Sequence, residues 1–134
     1  MWIEKYTGLL SLYELIFDDG NMGETHLEVM KLYLRMADGY PQILKEDPEH
    51  NRNVYLEAIF DCLDHALAHA KKYDTLPDTY TYTAPLADHI TVCNHPHKSV
   101  VPNLSTSWIF NRGLIQILEK DSRWEKWLET ARKG

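Results

Sequence analysis

The most regular apolar pattern in the chain lies between residues 47 and 77 and predicts one long helix. Two adjoining apolar stripes recur at spacings of three and four residues and cover about half of the helix circumference. The first stripe contains Tyr55, Ile59, Cys62, Ala66, His69 and Tyr73, and the second contains Leu56, Phe60, Leu63, Leu67 and Ala70. Asp47 and Pro48 suit the start of this helix, and Pro77 suits its end. Since so wide an apolar arc needs two neighbours, we expect this helix to be the most buried element.

Two shorter patterns predict helices before the central one. Residues 2–18 repeat apolar side chains at helical spacing, and Gly20 is placed to end that helix in a left-handed conformation. The capping-box pattern from Thr25 to Glu28 predicts the start of a second helix. Gly39 is expected to close it, and residues 41–46 are expected to add one short helical turn.

Two further helices are predicted after the central one. One runs from about residue 105 to residue 120, with Trp108, Ile115 and Leu118 facing inward. The other begins at Ser122, where Ser122 and Glu125 match a second capping box. Its apolar face consists of Trp124, Trp127, Leu128 and Ala131.

Residues 78–104 lack helical periodicity and predict an ordered but irregular crossover. Residues 80–83 alternate aromatic and β-branched side chains, but no partner strand is evident in the sequence. Residues 85–92 are expected to form a short helix, and residues 93–103, which contain two prolines, a loop. We expect Tyr80, Tyr82 and Leu86 to hold this crossover against the central helix.

These elements predict an all-α fold built from antiparallel helical hairpins in a single domain, residues 1–134. Its parts are a repeat-like segment, residues 1–77, the irregular crossover, residues 78–104, and a C-terminal helical cap, residues 105–134.

Residues 58–77, AIFDCLDHALAHAKKYDTLP, resemble the second helix of a tetratricopeptide-type repeat. The sequence KYDTLPD, followed by TYTAPL, is similar to the last repeat in the helical sensor regions of bacterial helix-turn-helix transcriptional regulators. The final segment, ILEKDSRWEKWLETARKG, resembles the helical cap of those regions. The resemblance covers residues 50–134 and implies a tetratricopeptide-like array that binds or senses a partner in transcription regulation, and not an enzyme.

The sequence also departs from that family. Residue 2 already begins a sensor-like helix, so no counterpart of the family's DNA-binding helix-turn-helix unit precedes it. The segment from Cys93 to His97 is not part of the family pattern. We therefore expect either an excised sensor domain or a stand-alone relative without DNA binding.

Composition and charge exclude several classes of protein. The net charge of −6 argues against direct nucleic-acid binding, which needs clustered lysine and arginine. No apolar run approaches the length of about 18 residues that a membrane span requires, and the first residues do not resemble a secretory signal. Two cysteines give no disulfide framework. These features predict a cytoplasmic protein that does not bind membranes.

Five tyrosines are candidates for lining a peptide-binding groove, because helical arrays bind peptides on a concave face. They are Tyr6, Tyr13, Tyr33, Tyr80 and Tyr82. The alternative is that these rings pack with their hydroxyls at the surface. The leading hypothesis is a non-enzymatic module that binds a protein or peptide partner and needs no cofactor.

The alternative hypothesis is a metal-binding helical protein or enzyme. His65 and His69 lie one helical turn apart, and Asp61 precedes His65 by another turn. Cys93, His95 and His97 would add ligands from a loop to a tetrahedral site. No recognised metal-binding spacing is present, however, and His69 is also explained as a packed side chain at the edge of the apolar stripe.

A third hypothesis is a stand-alone regulatory protein that forms a homodimer. Exposed Trp124 and Trp127 would then mark the interface.

Overall fold

The computed structural model describes residues 2–46, 52–88, 90–93, 100 and 112–133, and this part of the chain is mainly helical. The helices are α1 (Trp2–Ile16), α2 (Thr25–Glu46), α3 (Arg52–Asp74), α4 (Arg112–Leu118) and α5 (Ser122–Lys133). Two short strands, β1 (Tyr80–Thr81) and β2 (Thr91–Val92), form one antiparallel pair. The predicted mainly α fold is confirmed. None of the helices in these ranges combines the length and apolar character needed to cross a lipid bilayer.

Helices α2 and α3 form an antiparallel hairpin, and the ring contacts between them define its register. Near the connection between the two helices, the rings of Tyr40 and Tyr55 lie 6.1 Å apart. At the far end, the rings of His26 and His69 lie 5.1 Å apart. A residue late in α2 thus contacts one early in α3, and a residue early in α2 contacts one late in α3. The two helices are therefore antiparallel.

The core lies along the seam between these two helices. Six of the residues that line it have no exposed surface: Leu34, Ala37, Ile59, Leu63, Ala66 and Ala70. Both predicted stripes of α3 face inward, although Tyr55 and His69 at the stripe edges are only half-buried. The prediction that α3 is the central buried helix is therefore confirmed for its described residues.

The predicted end of the second helix at Gly39 is wrong. Helix α2 continues through Gly39 and Pro41 to Glu46. Proline lacks the backbone N–H that would bond to Ala37, but Ala37 and Tyr40 are buried in the core. This tertiary packing outweighs the local helix-breaking tendency, as is common for helices that bury one face.

The turn between α1 and α2 depends on two glycines with positive φ angles. Gly20 (φ 79°) has the predicted left-handed conformation but lies beyond the end of α1 at Ile16, and Gly23 (φ 55°) precedes α2. The predicted helix start at Thr25 is confirmed, but the capping-box contact is wrong, because the Thr25 hydroxyl donates to the carbonyl of Met22 at 2.5 Å. Glu28 forms an ion pair with Lys31 at 3.6 Å instead.

The crossover differs from its prediction in three respects. Tyr80 and Thr81 are not irregular, since they pair with Val92 and Thr91. The predicted helix over residues 85–92 is absent from the described part of that segment, where i to i+3 turns lead into β2. Leu86 does not hold the crossover in place, because 69% of its surface is exposed.

The C-terminal helix is confirmed, but its cap is not the predicted one. The Asp121 carboxylate accepts a hydrogen bond from the Arg123 N–H at 2.9 Å and caps α5 in place of Ser122. Trp124 and Trp127 are 7% and 4% exposed and stack with their centroids 5.4 Å apart. The prediction that these tryptophans are exposed at a dimer interface is therefore wrong.

Several predicted features lie outside the described residues. They are the helix start at Asp47 and Pro48, the loop residues His95 and His97, and the inward-facing Trp108. The helix predicted from residue 105 is described from Arg112 onward.

The central position of α3 generates a stability prediction. Leu63→Ala should lower the free energy of unfolding by about 3 kcal/mol, because it leaves a cavity where no surface is exposed. The matched control is Val54→Ala on the same helix, where the side chain is 59% exposed and the change should be within about 0.5 kcal/mol. Urea denaturation followed by circular dichroism measures both. Equal losses in the two variants would contradict the burial of α3.

The two glycines of the α1–α2 turn allow backbone strain to be separated from steric overlap. A Cβ at Gly20 would meet nothing within 4 Å, whereas a Cβ at Gly23 would lie 2.5 Å from Tyr80 Cε2 and 2.7 Å from Tyr82 Cε1. Gly20→Ala should cost about 1 kcal/mol from its positive φ alone. Gly23→Ala should cost about 1 kcal/mol more, because two rings must move. Chemical denaturation of both variants tests this, and equal costs would show that the rings do not press on Gly23.

Candidate functional site

The five predicted tyrosines do not share one demonstrated groove. Tyr6 and Tyr13 are half-buried on α1, and Tyr33 is half-buried on α2. Tyr80 and Tyr82 contact one another edge to face, with centroids 5.7 Å apart. The structure thus brings together the last two of the set, and the peptide groove lined by all five stays a prediction.

Tyr80 and Tyr82 anchor the crossover to the α1–α2 turn. The ring of Tyr82 lies 5.3 Å from that of Phe17, the residue that follows α1. The Tyr80 hydroxyl accepts a hydrogen bond from the backbone N–H of Glu24 at 2.9 Å. Because Tyr82 is almost fully buried and its ring contacts Phe17 and Tyr80, it serves the packing of the crossover.

The most unusual polar contact of the described chain joins two histidines across the α2–α3 seam. His26 Nδ1 and His69 Nδ1 are 2.9 Å apart, so one ring donates its Nδ1–H to the other. The ring centroids are 5.1 Å apart, which places the two nitrogens close to the line between the rings. This in-line geometry is that of an N–H···N hydrogen bond. His26 is 4% exposed, whereas His69 is half-buried.

Tyr33 stacks against the histidines of α3. Its ring lies 4.7 Å from that of His65, at an interplanar angle of 11°, and 5.8 Å from that of His69. His65 itself is exposed. The ring of Tyr33 therefore stacks on both histidines of α3.

The environment of the pair opposes protonation. Burial lowers the pKa of His26 to about 4, and His69 and Lys72 add to this effect. Burial also lowers the pKa of His69 to about 4, with Lys72 and His65 as further causes. His26 lies in the first turn of α2, where the positive end of the helix dipole also disfavours a cation. Both imidazoles are therefore neutral near pH 7.

The predicted metal site is assembled only in part. His69 faces His26 rather than a second ligand on its own helix, and Cys93 lies exposed just after β2. Within the described ranges, no three His, Cys, Asp or Glu side chains are grouped so that they would hold a metal ion. His95 and His97 lie outside those ranges. The other cysteine, Cys62, is buried, and burial raises the pKa of its thiol to about 11.

A groove between α3 and α5 is a second candidate site, which the sequence interpretation missed. Its volume is about 220 Å³. It is lined by Phe60, Asp64 and Leu67 from α3 and by Arg123, Lys126, Trp127 and Thr130 from α5. The lining positions recur at helical spacing on both helices, so each helix contributes one continuous face. This helical spacing is the feature of the sequence that could have indicated the groove.

The charged residues of the groove are arranged on two walls. On the α5 wall, the Arg123 guanidinium lies 4.5 Å from the centroid of the Phe60 ring. It also donates two side-chain hydrogen bonds to Asp121, at 3.1 and 2.9 Å. On the α3 wall, burial and then the neighbouring Asp61 raise the pKa of Asp64. The groove therefore combines an apolar floor with a carboxylate on one side and bases on the other.

No protein-family model, curated protein or solved structure matches this chain significantly. The candidate sites are therefore interpreted from their own geometry.

The histidine pair generates a pH prediction. The native pKa values near 4 lie below the value of about 6.5 in an unfolded chain, so unfolding takes up protons. The stabilisation is complete above pH 6.5 and is lost as the pH falls towards 4. Between pH 7 and pH 5, the free energy of unfolding should fall by about 2 kcal/mol for each histidine, and so by about 4 kcal/mol for the pair. Urea denaturation at several pH values between 7 and 5 measures this fall in the free energy of unfolding.

The control for this experiment is His65→Gln, which removes an exposed histidine and should leave the pH dependence in place. The double variant His26→Gln/His69→Gln should have a much flatter profile over the same range. An equally steep profile in the double variant would show that other groups cause the acid sensitivity.

Proposed function

We propose that this chain is a non-enzymatic helical module that binds a protein or peptide partner. The observation that carries the proposal is the α3–α5 groove, in which the apolar side chains Phe60, Leu67 and Trp127 are flanked by charged ones. Peptide-binding helical surfaces commonly combine apolar anchors with a polar rim.

The size of the groove favours a peptide side chain over a cofactor. Pockets for drug-sized ligands and cofactors usually measure about 300–1,000 Å³. At about 220 Å³, this groove accommodates one long side chain of a partner. A single anchor in a groove, supported by contacts around it, is a common way for a peptide to gain specificity.

The state of the titratable side chains supports a binding role over catalysis. The facing nitrogens of His26 and His69 are engaged with each other, and a general base needs a nitrogen within reach of a substrate. The Cys62 thiol is buried with a raised pKa, whereas a nucleophilic cysteine needs a lowered one.

The resemblance of residues 50–134 to the sensor regions of bacterial transcriptional regulators supports a regulatory role. The antiparallel α2–α3 hairpin is the kind of helix pair from which tetratricopeptide-like arrays are built. We infer that the chain contributes the partner-binding part of such a regulator and does not itself contact nucleic acid.

Filling the groove should abolish partner binding. Phage-displayed peptides selected on the wild-type protein supply the probes, and fluorescence anisotropy measures their Kd. Thr130→Trp should weaken binding at least about tenfold, because the indole occupies the space between the helices. Glu129→Trp, at the neighbouring exposed position outside the groove, should retain the wild-type Kd.

Thermal denaturation of both variants checks that they are folded. Undiminished binding by folded Thr130→Trp would contradict the proposal, as would a selection that yields no peptide with measurable affinity for the wild-type protein.

A further inference from the structure

We propose that the α3–α5 groove selects a positively charged side chain, a lysine or arginine of the partner, whose alkyl stem covers the apolar floor and whose cation meets Asp64. This inference rests on the proposed function and specifies the chemistry of the partner residue. Lysine and arginine each have a long apolar stem and a positively charged end. The stem matches the apolar floor of the groove, and the charged end matches its carboxylate.

Asp64 is the first reason for this choice. It stands on the α3 wall with Asp61 one turn before it, and two carboxylates at that spacing repel one another. The groups that act on its charge are Asp61 and His65, and neither is a lysine or arginine. A cation placed in the groove would stabilise the charged form of this carboxylate and offset its repulsion by Asp61.

The state of Arg123 is the second reason. Its guanidinium already donates two hydrogen bonds to the Asp121 carboxylate, which offsets its positive charge. Glu57 and Asp61 also act on Arg123 and raise its pKa, after the larger effect of Asp121. The groove lining holds one carboxylate, Asp64, and two bases, Arg123 and Lys126, and the carboxylates of Asp121, Glu57 and Asp61 act on Arg123. Since these acids offset the charge of Arg123, a cation that enters at the α3 wall is attracted by Asp64 and its neighbour Asp61.

The position of Arg123 also shows that the aromatic part of the groove floor can contact a cation. Its guanidinium lies over the face of the Phe60 ring, 4.5 Å from the centroid. Aromatic faces attract cations through the ring quadrupole. Because Trp127 is 4% exposed and one face of its ring stacks on Trp124, we expect Asp64, and not this indole, to hold the cation of the partner.

Two probes of equal stem length and opposite charge test the proposal: hexylamine and hexanoate. Each is titrated into ¹⁵N-labelled protein at pH 7, with the Thr130 amide and the Trp127 indole as reporters. Hexylamine should bind with a Kd on the order of 10 mM, which is typical for so small a ligand, and hexanoate at least about fivefold more weakly. Thr130→Trp should remove the response to both.

Two variants that each remove one negative charge test whether Asp64 causes the preference for the amine. Asp64→Asn should weaken hexylamine binding to the level of hexanoate. Glu129→Gln changes the net charge equally, at an exposed position outside the groove, and should leave the preference unchanged. Loss of the preference in both variants would mean that net charge alone attracts the amine, and would overturn the role of Asp64.

The outcomes separate this inference from the proposed function. Equal or tighter binding of hexanoate, or no response to hexylamine, would overturn the selection of a cation. The peptide experiment with Thr130→Trp would still decide whether the groove binds a partner. If that variant kept its peptide affinity, the proposed function would fail as well.

Discussion

The close approach of α2 and α3 is the constraint on which the rest of the structure depends. Alanines at positions 37, 66 and 70 have no exposed surface, and their small side chains let the two backbones approach closely. Leu34 and Leu63 fill the space between them. The contact with α2 buries the first apolar stripe of α3 and part of the second. Phe60 and Leu67, which belong to the second stripe, are therefore left to contact α5. The groove exists because α3 packs against two neighbours.

The sequence predicted the helices correctly where a long apolar repeat faces the core, as on α3 and α5. It failed where tertiary packing outweighs local preference. Gly39 and Pro41 are poor helix residues, yet α2 continues through them since its buried face is held by α3. Tyr80 and Thr81 lie in a short alternating pattern, but their strand was not predicted because the pairing partners lie about ten residues away and each strand is only two residues long.

The candidate sites were less predictable, because each depends on a helix register that periodicity does not supply. His69 was recognised as a side chain at the edge of the apolar stripe, but its partner His26 is 43 residues away. Only the antiparallel pairing of Tyr40 with Tyr55 would have aligned them. For the groove, Trp127 was correctly assigned to the apolar face of α5, but the helix that this face contacts was not predicted, and the dimer hypothesis wrongly left the side chain exposed.

The in-line contact of the two imidazoles also determines the polarity of their outer edges. A neutral imidazole carries a single ring proton, so the ring that donates from Nδ1 must leave its Nε2 bare, as an acceptor. The receiving ring must then hold its proton on Nε2, as a donor. Reversal of this hydrogen bond needs three proton movements: the Nδ1 proton crosses the seam, the receiving ring releases its Nε2 proton, and the donating ring takes up a proton at its own Nε2. The tautomeric states of α2 and α3 are thus coupled, and a hydrogen-bond partner at either Nε2 selects the tautomer of the other helix's histidine.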